Sequence, residues 1–364
     1  MGQNYVALTP SGGHEREGKQ GEDRSAMIDT AALETWMDAQ GVGSGPIRDV
    51  VPLAGGTQNI LLRFARGADS YVFRRPPAHP RPESSETMRR EARILGALEG
   101  TAVPHPALIA ACGDEAVMGT AFYLMAPVEG YNPASGLPPL HAGSPDIRHR
   151  MGLALVEGIA ALGALDHVAL GLADFGKAEG YLARQVARWR RQLDGYAATP
   201  EWDGRAALGD VDGVAAWLDA NMPEGFTPGI IHGDYHLANV MVRNDGPELA
   251  AIVDWELATI GDPLIDLGWL LATWPEPDGS GGTMRIMPWE GFPTADELVA
   301  HYAARSTRDL SAIGWYRVLA AYKLAILLEG THARACAGKA PREMGDRLHG
   351  RAVALFGRAR GWMA

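Results

Sequence analysis

The densest group of chemically capable side chains lies between residues 229 and 268. Four residues separate Asp234 from Asn239, and Asp254 follows fifteen positions after Asn239. An amide oxygen and a carboxylate together suit Mg²⁺, with water and phosphate oxygens completing the octahedron. A further carboxylate can accept the proton of a hydroxyl that attacks a metal-bound phosphate. These residue types therefore predict phosphoryl transfer, with Asn239 and Asp254 holding the metal and Asp234 acting on the hydroxyl.

Two short apolar runs are expected to bring these side chains together. The runs cover 240–242 and 249–253, and turn-forming residues from 244 to 247 separate them, which predicts a hairpin. In an antiparallel pair, the residue before the first strand and the residue after the second emerge at the same end, about 5 Å apart. Those residues are Asn239 and Asp254, and the loop that carries Asp234 leads to the same end.

Two other interpretations of these residues are open. His232, Asp234 and His236 could ligate a transition metal, because His-x-Asp-x-His places three ligand-type side chains close together. No second group of His or Cys at ligand spacing follows, however. Asp234 and Asn239 could also be simple turn formers. The symmetry of Asn239 and Asp254 about the hairpin favours phosphoryl transfer over this second interpretation.

The motif His232-x-Asp234-x4-Asn239, followed by Asp254, resembles the catalytic loop and metal-binding aspartate of the protein-kinase-like fold, as found in aminoglycoside and choline phosphotransferases. The strings HGDYHLANVM and IVDWELATIGDPLIDLGWLL are similar to the subgroup related to acyl-CoA dehydrogenases. The resemblance implies Asp234 as catalytic base, Asn239 and Asp254 as Mg²⁺ ligands, and His232 as a packing residue. It also implies that Asp266 steadies the catalytic loop.

The same resemblance implies an α+β, two-lobed protein-kinase-like fold, with a small antiparallel-sheet lobe and a larger, mainly helical lobe. We predict a flexible tail over 1–25, an N-terminal nucleotide-binding lobe over 26–127 and a C-terminal catalytic and substrate-binding lobe over 128–364. The implied cofactors are Mg²⁺ and ATP, with GTP as the alternative nucleotide.

Gly55 and Gly56 separate two predicted strands within residues 50–65. A glycine pair lets backbone amides approach phosphates closely, although such pairs are also typical of plain hairpin turns. The resembled fold opens its small lobe with a phosphate-covering hairpin at this place. We therefore predict that Gly55 and Gly56 contact the nucleotide, while the sequence leaves open which amides do so.

Arg74 lies on a predicted strand at the place where the resembled family usually has a lysine that binds the nucleotide phosphates. Arginine keeps the charge but differs in reach and hydrogen-bond geometry. Glu91 lies on the apolar face of the next predicted helix, where a carboxylate needs a partner. We predict that Arg74 is this partner. The alternatives for Glu91 are an ion pair with Arg90 and a partly exposed position at the edge of the helix face. The alternative for Arg74 or Arg75 is a solvent-exposed charge at the strand end.

Met125 ends an apolar run that begins at Ala121 and is followed by Pro127. We predict that this run is the last small-lobe strand and leads into the inter-lobe hinge, whose backbone holds adenine in the resembled family. An ordinary edge strand is the alternative, because a proline marks a strand end in either case.

Composition limits the class of protein. The chain has 364 residues, 46% of them hydrophobic, enough for two lobes with a sizeable core. A net charge of −11 argues against nucleic acid as a partner, and two cysteines fit a reducing, cytoplasmic environment. No apolar run is long enough to cross a membrane, and we expect no export signal. The sequence does not determine the oligomeric state.

The acceptor is less well defined than the reaction. The related subgroup implies a small molecule with a hydroxyl group, a hydroxyacyl-CoA or a hydroxy acid; an aminoglycoside is the alternative. Arg74 in place of lysine also raises the alternative of a nucleotide-binding protein without transfer activity. A predicted helix over 178–193 has a basic face formed by Arg184, Arg188, Arg190 and Arg191. That face could contact an anionic substrate, although solvent exposure is the more usual role of such a face.

Overall fold

The computed structural model describes residues 28–53, 59–77, 79–283 and 285–363. The predicted tail over 1–25 and the pair Gly55 and Gly56 lie outside the described residues. The small lobe is built from α1 (Thr30–Ala39), β1 (Ile47–Pro52), β2 (Ile60–Arg66), β3 (Asp69–Arg75), α2 (Ser84–Leu98), β4 (Leu108–Cys112) and β5 (Phe122–Met125).

The small-lobe strands form one antiparallel sheet in the order β1-β2-β3-β5-β4. β5 therefore lies inside the sheet, where Met125 pairs with Val72 on one side and Leu108 on the other. This pairing excludes the alternative of an edge strand for Met125. Since successive side chains of a strand point to opposite faces, Tyr123 faces the α2 side of the sheet, away from α1.

Helix α1 covers the other face of this sheet. Its buried residues, Leu33 and Met37, are four positions apart and so lie on one side of the helix. They pack in the same core as Phe122. The carboxylate of Asp29 caps the helix by accepting a hydrogen bond of 2.9 Å from the backbone N–H of Ala32.

The large lobe is mainly helical and carries two short antiparallel ribbons, β6 with β9 and β7 with β8. Its elements in chain order are α3 (Pro139–Gly143), α4 (Pro145–Ala164), α5 (Gln185–Gly195), α6 (Val211–Ala220), β6 (Gly229–Ile231), β7 (Val240–Val242), β8 (Leu249–Ile252), β9 (Thr259–Gly261), α7 (Leu264–Thr273), α8 (Ala295–Ala303), α9 (Ile313–Cys336) and α10 (Arg342–Gly361).

Helix α7 is the centre of the large-lobe core. All of its residues are buried, as expected for a helix that is apolar around its whole circumference. It packs against α9 and α4. Helix α7 directly follows β9, so the rigid core holds the first turn of α7 next to the β6–β9 ribbon. The predicted α+β architecture with two lobes is confirmed. Among the described residues, no helix combines the length and apolar character that crossing a membrane requires.

Candidate active site

The predicted hairpin forms and brings Asn239 and Asp254 to one end. Val240 pairs with Ile252, and the N–H of Val253 donates to the carbonyl oxygen of Asn239 at 2.9 Å. Asp254 then adopts a left-handed conformation with a φ of 69°. This conformation costs a non-glycine residue about 1–2 kcal/mol. The bend ends the ribbon and leaves the Asp254 carboxylate at its open end.

Asp234 lies beside Asn239. The Nδ2 atom of Asn239 donates to the carbonyl oxygen of Asp234 at 2.8 Å and to its Oδ2 atom at 3.0 Å. Nε2 of His236 lies 3.3 Å from the Oδ1 atom of Asp234. Burial by itself would raise the pKa of Asp234, but the charge and hydrogen bond of His236, with Lys323 and His232, lower it to about 2. The carboxylate is therefore ionised at neutral pH.

Asp266 and Lys323 hold the loop that carries Asp234 through hydrogen bonds to its backbone. Asp266 accepts hydrogen bonds from the backbone N–H groups of His232 at 2.6 Å and Gly233 at 2.8 Å. Nζ of Lys323 donates to the carbonyl oxygen of Gly233 at 2.9 Å. Gly233 has a φ of 87°, and a Cβ atom there would lie 2.7 Å from the carbonyl oxygen of Leu257. Glycine is therefore required at this turn.

Arg74 joins the two lobes. Its Nε atom lies 2.9 Å from Oε2 of Glu91, and its second terminal nitrogen donates to Oδ1 of Asp254 at 2.8 Å. Tyr123 also donates to Oε2 of Glu91, at 2.8 Å. Burial raises the pKa of Glu91, and Arg74 opposes this rise. The predicted Arg74–Glu91 contact is present, whereas Arg90 instead donates to the carbonyl oxygens of residues 175 and 258.

A cleft of about 500 Å³ lies between the small-lobe sheet and the β7–β8 ribbon. Its lining includes Arg74, Met125, Asn239 and Asp254, and also Leu53 and Asn59, which flank the segment that holds Gly55 and Gly56. Glu256 lines it as well. Burial and the neighbouring carboxylates of Asp254 and Glu91 raise the pKa of Glu256 to about 7. The cleft therefore combines an apolar wall with a concentration of acidic oxygen atoms at one end.

The donor set at this acidic end suits a hard cation. The amide oxygen of Asn239 and the second carboxylate oxygen of Asp254 accept no hydrogen bond from any described residue. Oxygen donors of this kind fit Mg²⁺. The transition-metal alternative is not supported, because both ring nitrogens of His232 contact the backbone, at Val253 and Asp234. Among the described residues, the candidate transition-metal group is instead Glu329, His332 and His349.

The comparison with protein families decides the class of this site. A family described as "Phosphotransferase enzyme family" matches residues 49–316, which include Arg74, Glu91, Asp234, Asn239 and Asp254 but not Lys323. This chain belongs to the phosphotransferase enzyme family. It is also 30% identical over 300 residues to "Acyl-CoA dehydrogenase family member 11" of Gallus gallus. That match covers 79% of this chain but 37% of the relative, so the chain spans little more than a third of the relative's length.

Solved phosphotransferase structures have the same fold. A putative aminoglycoside phosphotransferase from Ralstonia eutropha superposes with a TM-score of 0.75 at 29% identity, covering 92% of this chain and 99% of that one. A thermostable mutant of the aminoglycoside phosphotransferase APH(4)-Ia, in a ternary complex with ADP and hygromycin B, has a TM-score of 0.55 at 15% identity. It covers 90% of this chain and 98% of its own, and at this identity it supports the fold alone. The predicted kinase-like fold and family are confirmed.

Sequence reasoning missed two supports of the phosphotransferase site. Tyr123 pairs directly with Arg74 across β3 and β5, and its place inside the sheet could not be read from its own strand. Lys323 left a signal, because it interrupts the long apolar run of α9. A lysine in such a run needs a polar partner, and the structure supplies the carbonyl oxygen of Gly233.

Proposed function

We propose that this phosphotransferase moves the γ-phosphoryl group of ATP, or alternatively GTP, to a hydroxyl group of a small molecule. The observation that carries the proposal is the convergence of Asp234, Asn239 and Asp254 at one end of a cleft that also holds Arg74. The ADP in the related ternary complex supports a nucleotide donor. The proposal assigns the cleft between the sheet and the β7–β8 ribbon to this nucleotide, with Met125 on its wall.

The proposed reaction forms one bond and breaks one. The acceptor oxygen attacks the γ-phosphorus, the bond from phosphorus to the bridging oxygen breaks, and the nucleoside diphosphate leaves. Asp234 accepts a hydrogen bond from the acceptor hydroxyl and receives its proton as the new bond forms. A pKa of about 2 makes Asp234 a weak base. Its main contribution is therefore orientation, which suits a reaction in which positioning and charge stabilisation dominate.

Two groups would stabilise the charge of the transferring phosphoryl group. Asn239 and Asp254 would hold Mg²⁺, which neutralises negative charge on the phosphate oxygens. Arg74 would contact the phosphates from the small lobe. Glu91 fixes the Arg74 guanidinium, so the charge is oriented before the nucleotide binds, and less reorganisation is needed during the reaction.

The proposed acceptor is a hydroxyacyl-CoA or a hydroxy acid. Support comes from the relatives named as acyl-CoA dehydrogenase family members, whose matched region corresponds to this chain. The test is a screen for ATP consumption in the presence of Mg²⁺ over hydroxyacyl-CoAs, hydroxy acids, amino alcohols and aminoglycosides. Turnover with aminoglycosides alone would overturn this choice of acceptor.

Asp234→Ala tests the proposed chemistry. We expect a decrease in kcat of about 10²- to 10⁴-fold, while nucleotide binding, measured by calorimetry, stays within a few-fold of that of the parent chain. Asp245→Ala is the matched control, because Asp245 is an exposed carboxylate at the turn of the same hairpin and contacts Arg243. Unchanged turnover in Asp234→Ala would remove Asp234 from the mechanism.

A second candidate function is nucleotide binding without transfer. It is favoured by the ion pair between Arg74 and Asp254, which occupies one carboxylate oxygen of a proposed metal ligand. Nucleotide binding without Mg²⁺-dependent turnover of any acceptor in the screen would support this alternative over the kinase.

A further inference from the structure

A second cleft, of about 340 Å³, lies beside the loop that carries Asp234. Its lining includes Gly233, the neighbour of Asp234, and Glu256, which also lines the nucleotide cleft. The two clefts therefore share Glu256, whose pKa is affected by the neighbouring carboxylate of Asp254. A molecule in the second cleft would lie against Gly233, one residue before Asp234. A volume of this size is within the usual range for small-molecule sites.

The second cleft is lined by cations from four separate segments of the chain. Lys177 lies on the segment before α5, Arg184 directly precedes α5, Arg188 lies near the start of α5, and Lys323 lies on α9. Arg90 of α2 completes the set. This local excess of positive charge is contrary to the whole chain, whose net charge is −11.

Four of these cations form no ion pair with a carboxylate of the described residues: Lys177, Arg184, Arg188 and Arg90. Arg90 donates to the backbone carbonyl oxygens of residues 175 and 258. Arg184 contacts only the backbone carbonyl oxygens of residues 177 and 179, which fixes its guanidinium but leaves its charge uncompensated. The guanidinium of Arg188 lies 5.0 Å from the centre of the Trp189 ring. A buried aromatic side chain therefore supports one side of the arginine.

The position of these cations determines their effect on a ligand. Unpaired cations close together repel one another, and placing them around a cleft concentrates a positive potential there. A polycationic acceptor would meet this repulsion, whereas an anionic acceptor would relieve it. Burial lowers the pKa of Lys323 to about 8, whereas Lys177, Arg184 and Arg188 are exposed and accessible to an incoming ligand.

We propose that the second cleft binds the acceptor through an anionic group, a phosphate or a carboxylate, and that Lys177 and Arg188 contact this group directly. Arg184 orders the loop that carries Lys177. The proposal rests on the proposed kinase function and narrows its acceptor to anionic molecules. The sequence favours a solvent role for this basic face, and Arg184, Arg188 and Arg191 are all exposed; the proposal adds that Arg184 and Arg188 line the cleft, whereas Arg191 lies outside its lining.

Calorimetric binding without turnover tests this assignment independently of catalysis. The probes are coenzyme A, which carries phosphates, the uncharged fragment pantetheine, and a four-carbon hydroxy acid with its matching neutral diol. We expect at least one anion to bind more tightly than its neutral counterpart. Losing a charge-assisted hydrogen bond costs about 1.5–3 kcal/mol, so Arg188→Ala and Lys177→Ala should each weaken binding by about 10- to 100-fold.

The two anionic probes distinguish whether the second cleft binds a phosphate or a carboxylate. Weakened binding of coenzyme A identifies a phosphate, and weakened binding of the hydroxy acid identifies a carboxylate. Arg191→Ala, an exposed arginine on the same helix, should change the dissociation constant less than twofold. Equal affinity for the anion in the parent chain and both variants, or no preference for an anion over its neutral counterpart, would overturn the proposal.

One competing explanation requires a separate control, because the adenosine of coenzyme A could occupy the nucleotide cleft. A non-hydrolysable ATP analogue should not displace coenzyme A from the second cleft, and displacement would count against the proposal. If the chain binds the anion through Arg188 but transfers no phosphate, the kinase function is refuted and the anion site is kept. If the chain transfers phosphate and the KM for the acceptor is unchanged in Arg188→Ala, the anion site is refuted and the kinase function is kept.

Discussion

The ion pair between Arg74 and Glu91 gives the sharpest test of the nucleotide side of the site. Glu91 is 1% exposed and Arg74 is 7% exposed, and their charged atoms lie 2.9 Å apart. We predict the effects of Arg74→Met, of Glu91→Gln and of the double variant on the stability of the small lobe. Both substitutions keep the approximate size of the side chain and remove its charge.

The expected magnitudes follow from burial. Removing one partner of a buried ion pair costs about 3–5 kcal/mol, because the other charge stays buried without compensation. In Glu91→Gln the remaining Arg74 keeps its contact with Asp254, and in Arg74→Met the remaining Glu91 keeps its contact with Tyr123. We therefore expect each single variant to lose stability at the lower end of this range, about 3 kcal/mol. If the two effects on stability were independent, the double variant would lose about 6 kcal/mol. Residues in contact couple by up to about 3 kcal/mol, so we expect the double variant to lose only about 3 kcal/mol of stability.

Hydrogen exchange of β3 and α2 amides measures the free energy of opening of the small lobe without assuming that the whole chain unfolds in one step. The matched control is the exposed pair Glu86 and Arg89 on α2, which should couple by less than about 0.5 kcal/mol. All three Arg74 and Glu91 variants should lose nucleotide affinity. Additive effects in the double variant, within about 0.5 kcal/mol, would show that Arg74 and Glu91 do not act as a pair.

Two further predictions concern the support of the catalytic loop. Asp266→Asn places an NH₂ group opposite the backbone N–H of His232 or Gly233, so we expect chemical denaturation to show about 1–3 kcal/mol lower stability. Steady-state kinetics should show at least tenfold lower kcat. Full activity in Asp266→Asn would contradict the role of Asp266. For Lys323, burial lowers the pKa to about 8, so its charge, which offsets Asp234 and Asp266, is present below pH 8 and lost above it. We expect kcat to decrease as the pH rises through about 8, and we expect Lys323→Met to show no such decrease. The contribution of Lys323 to the free energy of unfolding should instead increase between about pH 8 and its ordinary pKa of about 10.4. If kcat has the same pH profile in Lys323→Met as in the parent chain, Lys323 is not the source of the decrease.

The sequence by itself determined which residues lie at the open end of the β7–β8 hairpin. The positions of Asn239 and Asp254 depend on local pairing across a short turn, and local pairing is encoded by the alternation of apolar and turn-forming residues. The partner of Glu91 was also accessible, because a carboxylate on an apolar helix face needs a cation and Arg74 lies on the preceding strand. The hairpin inference required only neighbours in sequence, whereas the choice of Arg74 also drew on the resemblance to a family in which a strand cation pairs with a helix glutamate.

Only the tertiary structure decided which residues distant in sequence contact these side chains. The contact of Arg74 with Asp254 joins residues that are 180 positions apart, and no local pattern specifies it. The same holds for the second cleft, which gathers Lys177, Arg188 and Lys323 from different segments. A basic helix face has the same sequence pattern whether it meets solvent or lines a cavity. The difference depends on which distant helix packs beside it, and for α5 that helix is α9.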